Sequence, residues 1–239
     1  MPICTVCRKE IDVTDTENGE TREHVIPFSW YPDSTPTNVQ RWTVPSHKKC
    51  NASYSLDEQY VFEKLATTVP PDLNAAKGIW DRVYRGLNPA AGKNEKSSNA
   101  RRRARTRILN SFVPTDEITS EMIRHGFKSI TNDSPAPELL LLDAERLGRV
   151  ITKITDCAYY YLTGSPPTGV YDYRFNIVGL EQFAHAWTER GEHLNWARLG
   201  PGVAIGNAIT SDTTGSGALI QVLLWDSIMF EGIYVWHKS

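Results

Sequence analysis

The chain has no apolar run approaching the roughly 18 residues of a membrane-spanning helix, and it has only four cysteines in 239 residues. Its first residues, Met-Pro-Ile-Cys, lack the basic start and apolar core of a secretory signal. Lys and Arg total 26 against 28 Asp and Glu, so the net charge is only −2. These absences argue against a membrane protein and a disulfide scaffold. They predict a cytoplasmic protein that would bind nucleic acid through local charge.

The composition divides the chain into three segments. Residues 1–66 contain nearly all the metal-type ligands and predict two short strands, Thr21–Ile26 and Arg41–Val44, followed by a helix. Residues 67–138 predict a helix over Ile79–Leu87, an exposed loop over Asn88–Asn99 and a basic stretch. Residues 139–239 predict a helix packed on an antiparallel sheet. We therefore expect an α+β protein with an N-terminal domain (1–66), a basic helical connector (67–138) and a C-terminal domain (139–239).

The C-terminal prediction depends on two signals. Asp143 is a plausible N-cap residue of a helix that has one apolar face and ends at Gly164. Beyond it come four segments that are rich in Val, Ile, Tyr and Trp, a composition typical of strands. These segments are Val170–Val178, Val203–Ile209, Ala218–Trp225 and Met229–Trp236.

Two short pairs of metal-type residues frame the N-terminal segment: Cys4-x-x-Cys7 and His47-x-x-Cys50. Three thiolates and one imidazole saturate a tetrahedral Zn²⁺ ion, which is typical of a structural site. A fragment of roughly 60 residues with two strands and one helix buries little apolar surface, so a metal would supply missing folding free energy. The alternative is a frayed N-terminus beside an incidental histidine. We predict a structural zinc site.

A second group of residues has the chemistry of a hydrolytic site. His24 is the side-chain type that accepts a proton from water near pH 7, and Glu23 precedes it. Mg²⁺ or Mn²⁺ prefers oxygen ligands, which Glu23 and Asn51 offer. Glu58 lies two turns after Asn51 on the same helix face, where it would complete the metal shell or form a salt bridge. Neighbouring strand residues point to opposite faces, so a twist or bulge would have to turn Glu23 and His24 toward one phosphate.

The order Cys-x-x-Cys, Glu-His-Val-Ile-Pro and x-x-x-Cys-Asn resembles the HNH endonucleases of the ββα-metal fold, in their zinc-knuckle branch. The resemblance covers about residues 1–66. It implies that His24 is the general base and that Glu23 and Asn51 bind the catalytic divalent ion. The expected reaction is hydrolysis of DNA phosphodiester bonds, leaving 5′-phosphate and 3′-hydroxyl ends. By analogy, the chain would belong to phage, mobile-element or defence biology.

Basic residues in two places predict contacts with the phosphate backbone. The stretch from Lys93 to Arg107 holds seven basic residues against Glu95 alone. Arginines at this density suit nonspecific binding with a strong salt dependence, although such runs are often only a solvated surface. The expected DNA-binding residues are Lys48, Lys49, Arg101, Arg102, Arg103 and Arg105.

Two alternatives to the endonuclease share its zinc site. One is a nucleic-acid-binding module without catalysis, and the other is a nuclease effector controlled by its C-terminal domain. The expected partners are accordingly DNA, with RNA as an alternative, and a regulatory protein or ligand at residues 139–239. We also expect no membrane partner, and a homodimer is one possible assembly.

Overall fold

The structure is a computed structural model that describes residues 1–113, 139–167, 170–177, 194–211 and 215–237. Within these ranges the protein is mixed α/β, with four α-helices and three antiparallel sheets. No helix in these ranges is long and apolar enough to cross a membrane.

The N-terminal segment folds as a hairpin followed by a helix. Strand β1 (Glu20–His24) pairs antiparallel with β2 (Thr43–His47), and helix α1 (Lys48–Ala66) begins at the next residue. The predicted hairpin and helix are confirmed, but β2 continues past Pro45. A proline lacks the N–H that a ladder requires and is tolerated on an edge strand, which a two-stranded sheet provides.

The described part of the middle segment, residues 67–113, contains two α-helices. Helix α2 (Ile79–Leu87) has the predicted bounds. Helix α3 (Glu95–Leu109) begins inside the expected loop Asn88–Asn99, so the loop prediction is wrong for residues 95–99. The reason is a capping box: the Asn94 side chain accepts from the Ser97 backbone N–H, and the Ser97 hydroxyl accepts from the Asn94 N–H. The rest of the connector, residues 114–138, lies outside the described residues.

The described residues of the C-terminal segment form one long helix and a five-stranded sheet. Helix α4 (Ala144–Thr163) begins after Asp143, whose carboxylate accepts two backbone N–H bonds, and ends at Gly164 with φ +77°. The predicted helix and four strands are confirmed. A fifth strand, Asn195–Gly200, was not predicted. The two-residue strands β3 (Phe112–Val113) and β4 (Leu139–Leu140) pair with each other. The strands of the large sheet are, in chain order, β5 (Val170–Ile177), β6 (Asn195–Gly200), β7 (Val203–Ser211), β8 (Gly215–Leu224) and β9 (Ile228–His237). Their order across the sheet is β5-β9-β8-β7-β6.

One buried apolar cluster includes residues of both the first and the last segment. Val25, Trp30 and Leu65 belong to it, as do Val150 of α4 and Trp225 in the turn after the eighth strand. Helix α4 packs against both α1 and β2. The division into three domains stays a prediction, but α4 lies against the hairpin that carries Glu23 and His24.

Candidate metal centre and catalytic site

Four metal-type side chains meet where the N-terminal loop contacts the junction between β2 and α1. One ligand atom from each of Cys4, Cys7, His47 and Cys50 lies within 4.8 Å of the others. His47 Nδ1 is 3.4 Å from Cys7 Sγ, near the roughly 3.6 Å between nitrogen and sulfur ligands on a tetrahedral zinc ion. His47 ends β2 and Cys50 lies in the first turn of α1. The four residues could therefore hold a metal ion such as zinc.

The thiol chemistry of this group suits a cation. Burial acts to raise the pKa of the Cys4 thiol, but backbone N–H groups of Cys7 and His47 donate to the sulfur and lower the pKa to about 6. Burial and the neighbouring Cys4 charge raise the pKa of Cys50 to about 12. One thiolate therefore suppresses ionisation of another, and a bound dication would remove that conflict.

Glu23 and His24 end β1 on opposite faces of the hairpin. Glu23 pairs with Val44 and His24 with Thr43, without a register shift. The bulge considered from the sequence is therefore absent from this hairpin. Glu23 is buried at 4% exposure, while His24 is half-buried. The two side chains are neighbours in the chain but meet different surroundings.

The surroundings of His24 favour its neutral imidazole form. Burial lowers its pKa below the ordinary 6.5, and the positive charges of Lys153 and Arg41 lower it further. Its Nδ1 atom is buried and has no hydrogen-bond partner in the described part of the chain. The ring of Phe28 lies 6.0 Å away, centroid to centroid. His24 therefore keeps a nitrogen that can accept a proton.

Arg41 supplies a positive charge that forms no salt bridge with a carboxylate of the described residues. Its guanidinium carbon lies 4.3 Å from the centroid of the Phe28 ring and 5.2 Å from that of Tyr31, as in cation–π contacts. Its Nε is buried without a hydrogen-bond partner, and no carboxylate of the described residues lies within 4.0 Å of the guanidinium. Because Arg41 also acts electrostatically on His24, an anion at this position would meet both side chains.

Lys153 of α4 reaches the other face of the hairpin. Its Nζ is 2.5 Å from Glu23 Oε1 and 2.7 Å from Glu58 Oε1, and it donates to the backbone oxygen of His24 at 3.1 Å. The side chain is completely buried. Burial raises the pKa of Glu23, and the ammonium opposes that rise. Glu58 therefore forms the salt bridge considered from the sequence, and its metal role stays a prediction.

A divalent ion has a ligand atom available at Glu23. The Oε2 atom of this carboxylate is buried and has no hydrogen-bond partner within the described ranges. The Asn51 amide Nδ2 lies 3.5 Å from the Arg22 carbonyl oxygen, which places Asn51 beside β1. In the described residues the Cys/His cluster is the only group of three or more such metal-binding side chains. A second ion would thus have few protein ligands, as Mg²⁺ allows because it retains several waters.

The expected phosphate-binding residues lie on two surfaces. Lys48 and Lys49 are exposed in the first turn of α1, and Lys48 Nζ donates to the Thr16 carbonyl at 2.8 Å. The arginines lie on α3, where Arg103 and Arg105 are exposed. Arg101 donates to the backbone oxygen of Arg85, and Arg102 donates to Asn99 Oδ1 at 3.2 Å. These contacts leave α3 a basic surface, and its use in DNA binding stays a prediction.

Sequence reasoning missed Arg41 and Lys153. Lys153 had a usable signal, because it lies three residues after Val150 and four before Cys157, both fully buried positions of α4. A lysine on an apolar helix face requires an acidic partner, and Glu23 and Glu58 supply it. Arg41 had no comparable signal, since its surroundings depend on the loop between the strands.

Comparison of the chain with models of known protein families, with curated proteins and with solved structures finds no match.

Proposed function

We propose that the chain is a metal-dependent endonuclease that hydrolyses phosphodiester bonds of DNA. The observation that carries this proposal is that His24 and Arg41 both lie beside the ring of Phe28. A neutral imidazole with a free buried nitrogen lies in the field of a guanidinium that has no carboxylate partner among the described residues. A general base beside an unneutralised cation suits an anionic substrate attacked by water.

The chain's own residues have distinct parts in the proposed reaction. His24 accepts the proton of a water molecule, whose oxygen forms the new bond to phosphorus. Arg41 binds a non-bridging phosphate oxygen and stabilises the charge that develops there. The bond between phosphorus and the 3′ oxygen breaks, and that oxygen takes a proton from solvent. The products carry 5′-phosphate and 3′-hydroxyl ends.

Glu23 Oε2 and the Asn51 side-chain oxygen would hold the catalytic Mg²⁺ or Mn²⁺. Such an ion supplies Lewis-acid stabilisation of charge on the phosphate and the leaving oxygen. Zinc at Cys4, Cys7, His47 and Cys50 would have no chemical step of its own. It would fix the start of α1, and with it Asn51, beside β1.

One observation favours a second function, a zinc-stabilised nucleic-acid-binding module without catalysis. Glu23 and His24 lie on opposite faces of a regular hairpin, and one oxygen of Glu23 is in an ion pair with Lys153. A pure binder would use the basic surface of α3 and would have no need of His24.

Plasmid DNA and single-stranded RNA, each incubated with Mg²⁺ or with EDTA, separate these functions. The wild-type protein should cleave DNA only with Mg²⁺, and His24→Ala should abolish cleavage while zinc content and DNA affinity remain. Glu20→Ala, at the exposed start of the same strand, is the matched control and should cleave normally. DNA binding without cleavage by the wild type supports the binding module, and full activity of His24→Ala excludes the proposed base.

A further inference from the structure

The ammonium of Lys153 sits between two carboxylates of the candidate site. It contacts Glu23 Oε1, Glu58 Oε1 and the His24 carbonyl oxygen, at 2.5, 2.7 and 3.1 Å. An ammonium has three N–H donors, so these three acceptors match its capacity. They come from β1 and α1, whereas Lys153 belongs to α4. The last segment of the chain therefore contributes a charge to a site otherwise built by the first.

The position of Lys153 in α4 makes this contact a fixed part of the fold. Its neighbours Val150, Ile154 and Cys157 are fully buried in the apolar cluster. Moving the ammonium away from Glu23 would require this apolar face of α4 to leave the cluster. It would also leave Glu23 buried without its cation. A buried ion pair is weak evidence for stability alone, because apolar replacements are often neutral or stabilising. The arrangement therefore calls for a role in the site.

We infer that Lys153 is a positioning residue that binds Oε1 of both Glu23 and Glu58, so that Glu23 is held with its unpaired Oε2 available to a divalent ion. The inference rests on the proposed function, since it concerns the metal of the same site. Two carboxylates and one ammonium give this group a net charge of −1. The ammonium thus offsets part of the negative charge that Glu23 and Glu58 would offer an ion, and it holds Glu23 in one orientation.

The net charge of this group predicts the direction in which Mn²⁺ affinity should change in two variants. Lys153→Met removes the ammonium and leaves two carboxylates, a charge of −2. Glu58→Gln leaves Glu23 and Lys153, a charge of zero. Mn²⁺ affinity should therefore rise about tenfold in the first variant and fall about tenfold in the second. If Lys153 only stabilised the fold, Lys153→Met would perturb the site as a whole and weaken Mn²⁺ binding instead of strengthening it.

The experiment uses the full zinc-loaded chain and Mn²⁺ alone, with binding followed by electron paramagnetic resonance and calorimetry. Glu63→Gln is the matched control, because Glu63 is a buried carboxylate of the same helix that pairs with Arg107. It should bind Mn²⁺ as the wild type does. DNA cleavage, measured in parallel, should fall at least tenfold in kcat for Lys153→Met despite tighter binding, because Glu23 is no longer held.

The outcomes separate the two proposals. Opposite shifts in Mn²⁺ affinity support the inference even if no variant cleaves DNA, a result that would count against the proposed nuclease alone. Equal affinities in wild type and both variants overturn the inference, as does weaker binding in both or no Mn²⁺ binding by the wild type. If Lys153→Met fails to fold, Glu58→Gln decides: an affinity that does not fall contradicts the charge model.

Discussion

The indole nitrogen of Trp225 donates a 2.8 Å hydrogen bond to the backbone carbonyl oxygen of Trp30. The two residues are 195 positions apart, and both side chains are fully buried. Their rings lie 6.4 Å apart, centroid to centroid, and both contact Phe62 of α1. The turn after β8 is thereby fastened to the loop that follows Glu23 and His24. The C-terminal sheet thus supports the segment that carries the candidate site.

Trp225→Phe should destabilise the protein by about 1–3 kcal/mol, because it leaves a buried carbonyl without its donor. Urea unfolding followed by circular dichroism measures this change. Tyr84→Phe is a suitable control, since Tyr84 is 69% exposed and its substitution should change stability by less than about 0.5 kcal/mol. Equal unfolding midpoints for Trp225→Phe and the wild type would contradict the coupling of the two segments.

Zinc binding gives the second prediction. The wild type should bind one zinc per chain, and Cys50→Ala should lose it, because three ligands bind zinc far more weakly than four. Cys157→Ala is the matched control: Cys157 is also a cysteine in a helix, but it lies outside the cluster. It should keep the zinc even if the small cavity lowers its stability. Metal analysis after dialysis measures both, and retained zinc in Cys50→Ala would exclude the four-ligand site.

Local signals in the sequence predicted much of this fold. Asp143 and Gly164 predicted the two ends of α4 correctly. Helix caps and left-handed terminal residues depend only on neighbouring positions in the chain, so the sequence reveals them directly. The paired ligand spacings predicted the Cys/His cluster for the same reason. The ion pair of Lys153 with Glu23 spans 130 positions, and only the packing of α4 on the hairpin creates it. Nonlocal contacts of this kind leave no periodic signal, so the electrostatics of the site required the structure.

The basic surface of α3 gives the third prediction. Replacing Arg102, Arg103 and Arg105 with Gln should reduce the slope of log affinity against log salt by about 2–3, since each phosphate contact contributes about 0.9 on duplex DNA. These side chains are exposed, so folding should be unaffected. Fluorescence anisotropy with a labelled duplex between low and moderate salt measures the slope.

A control with the same loss of charge separates this surface from net charge. Replacing the exposed Lys9, Lys77 and Arg85 with Gln removes three positive charges outside α3. This variant should change the slope by less than about one phosphate contact. Identical slopes for the two triple variants would mean that α3 is only a solvated face.

The fourth prediction concerns Lys64, a buried lysine at the end of α1. Its side chain is 1% exposed, its ammonium donates to Ser111 Oγ, and it lies 5.6 Å from the Tyr60 ring centroid. Burial, with a further contribution from Arg107, lowers its pKa from 10.5 to about 8. Below pH 8 folding therefore buries a charged group, which costs free energy. Between pH 8 and 10.5 the unfolded chain holds more protons, so this cost disappears as pH rises.

Lys64→Met fills a similar volume without the charge, so it should stabilise the protein at pH 7 by about 1–3 kcal/mol. The advantage should shrink as pH rises from 8 to 10.5, because the wild-type lysine becomes neutral. Urea unfolding of both proteins across this range gives the difference directly, and other titrating groups cancel in the comparison. Lys77→Met, at an exposed lysine, should show no such trend. A pH-independent difference, or a less stable Lys64→Met at pH 7, would show that the buried ammonium costs nothing.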